Sequence, residues 1–171
     1  MDSKDTNQEV RMGVRVLGPK DGEVAGAPES RTDRFMLDSK DTGGRLSVVE
    51  HTLPPHVLAG PLHHHTREDE YSYVLEGQLG ALLGDQEVFA EAGDLVFKPR
   101  GQWHTFWNPD DTPTRVLELI SPGGFEDLFR ELGALGGEPD LATLLELGAR
   151  YGVKADFEGT GPILQRHGLR L

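Results

Sequence analysis

Two histidines one residue apart, His63 and His65, are followed by Glu70, and no other stretch of the chain gathers metal-capable side chains so closely. In a strand, alternate side chains share a face, so His63 and His65 point the same way and His64 points oppositely. Two imidazoles on one inward face form half of a site for a borderline metal ion, and Glu70 can add a carboxylate oxygen after a short turn. The sequence contains no cysteine. Thiolate zinc sites, disulfides and a cysteine nucleophile are thereby excluded, and a transition metal must be held by His, Asp or Glu. His51, His56, His64 and His167 stand apart from any such spacing and are expected to be surface or packing residues.

The elements that must position these residues are short. Val14–Leu17, Arg34–Leu37, Leu46–Leu53, Glu70–Leu75, Gln78–Leu83, Leu95–Lys98, Trp103–Trp107 and Arg115–Ile120 are rich in β-branched or bulky apolar residues and read as strands. Glu76-Gly77, Gly84-Asp85 and Ala92-Gly93-Asp94 are turn signals between them. Such a series predicts a mainly β fold, a single closed antiparallel barrel or jelly roll. After Ser121-Pro122-Gly123-Gly124 the period changes. Phe125, Leu128, Phe129 and Leu132, then Leu141, Leu144, Leu145 and Ala149, fall at helical spacing, and a third short helix is expected near 162–167. These stripes are expected to pack on the outside of the barrel, with a lid over its mouth as the alternative. The division that follows is a flexible stretch 1–11, a β-barrel domain 12–122 and a helical extension 123–171.

Residues 93–108 carry a second pattern, in which Gly93, Pro99, Gly101, His104 and Asn108 stand at Gly-x5-Pro-x-Gly-x2-His-x3-Asn. Pro99 stops the preceding strand, the glycines permit tight turns, and His104 opens a new strand placed to face the earlier pair. Here the chain resembles the cupin superfamily, whose second motif this is. The first cupin motif, Gly-x5-His-x-His-x3–4-Glu-x6-Gly, is matched by His63, His65, Glu70 and Gly77, while its leading glycine falls at Val57 and departs from the pattern. The resemblance covers about residues 45–121, and the ligand pattern is quercetinase-like.

The resemblance implies one divalent transition metal, Fe, Mn, Ni, Co or Zn, held by His63, His65, Glu70 and His104. It implies an open coordination position for a small-molecule substrate or dioxygen, with the metal as Lewis acid and Glu70 as a possible proton acceptor. A dioxygenase-type oxidoreductase is the expected activity. A non-oxidative isomerase or lyase, or a small-molecule-binding module, is the alternative, because one fold hosts many chemistries. Phe106 shares the strand face of His104 and is expected to line the cavity; Ser72 and Val74 share that of Glu70.

Composition narrows the partners. Acidic residues outnumber basic ones 29 to 17, a formal charge of −12, which disfavours nucleic acid and anionic membranes. The polar N-terminus has no apolar segment of a secretory signal, no run approaches the roughly 20 residues of a membrane span, and a cytoplasmic location is expected. A homodimer is expected to cover open sheet edges, with the strands before residue 45 and Trp103 or Trp107 as available surfaces.

Overall fold

A computed structural model of the protein describes residues 14–135 and 139–171, so the stretch 1–11 lies outside the described residues. The chain runs β1 (Glu23–Gly26), β2 (Thr32–Leu37), α1 (Ser39–Thr42), β3 (Ser47–Leu53), β4 (Leu62–His65), β5 (Asp69–Glu76), β6 (Gln78–Leu83), β7 (Gln86–Glu91), β8 (Leu95–Lys98), β9 (His104–Trp107) and β10 (Thr114–Ser121). It continues through α2 (Glu126–Leu135), α3 (Leu141–Arg150), β11 (Val153–Asp156) and α4 (Phe157–His167). All strand pairs are antiparallel. They form a six-stranded sheet, β1-β2-β3-β10-β5-β8, and a five-stranded sheet, β11-β4-β9-β6-β7.

The period-two pattern is clearest in β10, where Thr114, Val116, Glu118 and Ile120 are buried and their neighbours are not. Val74, Val96 and Val116 from one sheet meet Leu79, Ala81 and Phe106 from the other in a shared core. The sheets therefore stack face to face as two layers. Among the described residues no named strand of one sheet pairs with a strand of the other, so the ladders do not close into the single barrel expected from the sequence. Side-chain packing, not a continuous ladder, joins the layers.

Two glycines serve this arrangement, one at the turn between the sheets and one within the five-stranded sheet. Gly77 turns β5 into β6 at φ +76°, a left-handed conformation that suits glycine. Gly80 lies under Trp107, where a Cβ would fall 2.4 Å from the indole. Trp107 is fully buried, so it is not an available dimer surface as the sequence suggested. Trp103 remains 38% exposed, with the His64 ring edge-on at 4.7 Å.

Val14–Leu17, read as a strand, has no regular structure. β1, β7 and β11 were missed, being short or largely polar on one face. The tail departs furthest from expectation. β11 joins the five-stranded sheet beside β4, with Ala155 opposite His63 and Val153 opposite His65. Phe125, Leu128 and Phe129 are buried against Phe35, Val49 and Ile120, and the same helical segment faces the interior cavity. Outer packing alone does not describe it, because each stripe is wide enough to touch both sheet and cavity. No helix among the described residues is long and apolar enough to cross a membrane.

Candidate metal centre

His63 on β4 and His104 on β9 are direct cross-strand partners, and His65 lies two residues along on the same face. Glu70 comes from β5 in the opposing sheet. The ligand-capable atoms of His63, His65, Glu70 and His104 all lie within 4.8 Å of one another. His63 Nε2 is 3.2 Å from His65 Nε2, His65 Nε2 is 3.5 Å from Glu70 Oε1, and His104 Nε2 is 3.3 Å from Glu70 Oε2. The structure thus brings all four sequence-identified residues to one point and leaves His64 outside it, against Trp103.

Their protonation states follow from what surrounds them. His63 Nδ1 is 2.7 Å from the Pro61 carbonyl, and His104 Nδ1 is 2.9 Å from that of Gln102. A carbonyl oxygen only accepts, so each Nδ1 carries a hydrogen and donates, and Nε2 is the ring atom turned toward the other donors. His104 Nε2 is buried without a hydrogen-bond partner. Burial, with His104 and His65 alongside, pushes the His63 imidazole well below its usual range and keeps it neutral. Burial alone would raise the Glu70 carboxyl, but Lys98 and His65 overcome it and hold Glu70 well below the usual carboxylate range. Neutral imidazoles and an ionised carboxylate are the states a divalent ion requires of its ligands. The residues present fit such an ion.

Around the donors lies a network that the sequence reading missed. Lys98 is fully buried, with Nζ 3.0 Å from Glu70 Oε2 and 3.0 Å from Glu118 Oε2. Ser72 Oγ donates to Glu118 Oε2 at 2.7 Å. Burial alone would lower the Lys98 ammonium, but Glu118 and Glu70 raise it above its usual range, so it stays charged. A signal existed: Lys98 falls in the inward phase of β8 with Val96, and Glu118 in that of β10 with Val116. A charge in an apolar phase marks a paired or functional group.

Two of the donors, His63 and Glu70, open onto a cavity of about 250 Å³. Phe106 lines it, as its strand face suggested, together with Phe125, Phe129, Leu128 and Leu144 from the tail. His63, Glu70, Arg31 and His51 are its polar contributors. The ring of Phe125 stands edge-on to His65 at 4.4 Å, tying the tail directly to the donor set.

Residues 49–120 match the Cupin domain family. The chain is 38% identical over 99 residues to the tetracenomycin polyketide synthase protein TcmJ of Streptomyces glaucescens, covering 56% of this chain and 66% of that protein. It is 31% identical over 100 residues to the quercetin 2,3-dioxygenase of Bacillus subtilis, covering 58% of this chain and 29% of that one. It therefore spans about two thirds of the first relative and less than a third of the second. Among solved structures, the polyketide cyclase RemF of Streptomyces resistomycificus superposes with a TM-score of 0.55 at 27% identity, covering 64% of this chain and 80% of that one. With both motifs filled at their histidines and glutamate, two stacked antiparallel sheets and these likenesses, the chain belongs to the cupin superfamily.

Proposed function

We propose that this chain is a metal-dependent enzyme acting on an apolar, oxygenated aromatic molecule, with one divalent ion held by His63, His65, Glu70 and His104. The observation that carries this is the junction of inward-facing donors with an aromatic-lined cavity. Such an ion supplies Lewis acidity toward a hydroxyl or enol oxygen placed beside it. The chain's own side chains do the rest. Phe106, Phe125 and Phe129 offer ring faces to a flat substrate and exclude water. Lys98 engages Oε2 of Glu70 and lowers the carboxylate's basicity, so in this proposal Glu70 serves as a ligand first.

Dioxygenase-type oxidation is the leading form of the reading, in keeping with the quercetin dioxygenase relatives. A non-oxidative cyclisation or isomerisation is the second form. It is favoured by one observation: the matches to the two polyketide proteins span far more of their partners' length. The test is turnover of a panel of polyphenols and aromatic polyketides by protein loaded separately with Fe, Mn, Ni, Co and Zn, with dioxygen uptake recorded. Turnover that stops without dioxygen supports the first form, and turnover that continues supports the second. Failure of every metal to bind, or of every loaded form to turn over any of the panel, rejects the proposal.

A further inference from the structure

A second polar constellation reaches the same cavity without using any of the four donors. His51 on β3 is 1% exposed and lines the cavity, its ring edge-on to Phe129 at 5.1 Å and tilted against Phe106 at 6.1 Å. Its Nδ1 lies 2.7 Å from Asp33 Oδ1. Arg31 Nε is 2.8 Å from that same oxygen, and Arg31 Nη2 is 3.0 Å from Asp33 Oδ2. Arg31 Nη1 donates to the Ala59 carbonyl at 2.8 Å, and the guanidinium sits 4.7 Å over the Phe129 ring. The guanidinium is thus committed to protein acceptors.

These contacts fix what His51 offers to the cavity. Burial alone would raise the Asp33 carboxyl, but Arg31 and His51 beside it hold it at about 2. An ionised carboxylate only accepts, so Nδ1 of His51 must donate. In the neutral ring Nε2 then carries a bare lone pair, and no hydrogen bond to that atom is present among the described residues. A buried Arg–Asp–His chain is costly in an apolar wall unless every member is satisfied. Here one atom is left over, on a ring that lines the cavity. An imidazole oriented by a carboxylate, with its second nitrogen free, is the arrangement of a general base.

We propose that His51 accepts a proton from a hydroxyl on an apolar aromatic ring bound in this cavity, with Asp33 and Arg31 as positioning residues. The proposal rests on the reading of the cavity as a site for an oxygenated aromatic molecule. In the step, the substrate O–H bond breaks and its electron pair stays on oxygen. An N–H bond forms at Nε2, and the imidazolium so made is balanced by the Asp33 carboxylate. Solvent or product later recovers the proton. Glu70 is the weaker candidate for this step because Lys98 holds its carboxylate well below the usual range and engages its Oε2.

The experiment compares two fused-ring probes, 2-naphthol and 2-methoxynaphthalene, which differ in whether the oxygen carries a hydrogen. Zinc-loaded wild-type protein is expected to bind the naphthol about tenfold more tightly. His51→Leu is expected to bring that ratio near one. Asp33→Asn, which unfixes the tautomer but keeps the shape, is expected to lower it by a smaller factor. Zinc content and melting temperature are measured for each variant. Because His51 is buried, the wild-type protein carries an independent readout: its Nε2 nitrogen resonance is expected to shift with naphthol and not with the methyl ether. A naphthol preference that survives in folded His51→Leu, or a His51 resonance indifferent to naphthol, overturns the proposal. Equal binding of both probes by wild type overturns it while leaving the aromatic-cavity reading intact. If neither probe binds wild type although zinc does, that reading falls and the role of His51 with it.

Discussion

Lys98 is the direct cross-strand partner of Glu70, and its ammonium sits 3.0 Å from the carboxylate oxygen that His104 also approaches. A full positive charge is thereby built into the wall of a site proposed to hold a cation. Its second carboxylate, Glu118, explains how this is tolerated, since one ammonium is shared between two buried acids.

Replacing this lysine tests the balance. Lys98→Met leaves Glu70 and Glu118 buried without their counter-charge, and breaking one partner of a buried pair costs about 3–5 kcal/mol. The loss is expected in metal-free protein, and zinc is expected to recover part of it by supplying positive charge next to Glu70. Urea unfolding of wild type and variant, with and without zinc, measures both. Equal stability of the two metal-free proteins would refute this account of the network.

Metal retention separates the donor face from its reverse. His104→Ala removes one of four donors and is expected to abolish most zinc retention, whereas His64→Ala is expected to stay near wild type. Elemental analysis of both folded variants gives the answer. In a zinc-loaded crystal the three imidazole nitrogens are expected at about 2.0–2.2 Å from the ion. Equal metal loss in both variants would break the strand-face argument.

Acid stability is expected to depend on Asp33. Its folded-state value is lowered from 3.8 to about 2. A depressed carboxyl contributes stability that is present above its unfolded value and lost as pH falls through the folded one. The loss therefore falls between about pH 4 and about pH 2, and amounts to roughly 2 kcal/mol. Unfolding free energies of wild type and Asp33→Asn across that window are expected to converge by this amount on acidification. Parallel curves would contradict it.

The cross-strand contact between Gly80 and Trp107, within the five-stranded sheet, is expected to tolerate no side chain. In Gly80→Ala the new methyl meets the indole of Trp107, and such overpacking costs about 1–3 kcal/mol. Gly161→Ala, in α4 with open space around it, is expected to be neutral or stabilising. Chemical denaturation followed by tryptophan fluorescence distinguishes the two. A Gly80→Ala protein as stable as wild type would show that the Trp107 indole shifts easily.

The donor set was legible because a strand's period is two: His63 and His65 had to share a face, and the Gly-Pro-Gly spacing around His104 set the turn that returns it. Whether the ladders close into a barrel was not legible, since closure depends on pairings between distant strands that local patterns do not encode. The role of His51 was hidden for a similar reason. Alone in the sequence it resembles any packing histidine, and only the β2–β3 register, which sets Asp33 opposite it, makes it a dyad. The tail's stripes announced helices correctly, but period alone does not say which two surfaces a stripe touches. Nothing in Val153–Asp156 marked it as the neighbour of the histidine strand.

That neighbour has a consequence for synthesis. β4 carries two of the donors, yet one of its edges is completed only by β11, and its first residue is held by Leu62 N–H donating to Thr160 Oγ1 at 2.9 Å. These partners are translated long after His63 and His65, and such long-range closures are slow to form. A nascent chain that has delivered all four donors still has a histidine strand unpaired along one edge. Metal capture is then expected to be late, and a ribosome-stalled chain ending before Val153 is expected to hold zinc poorly even though every ligand has been made.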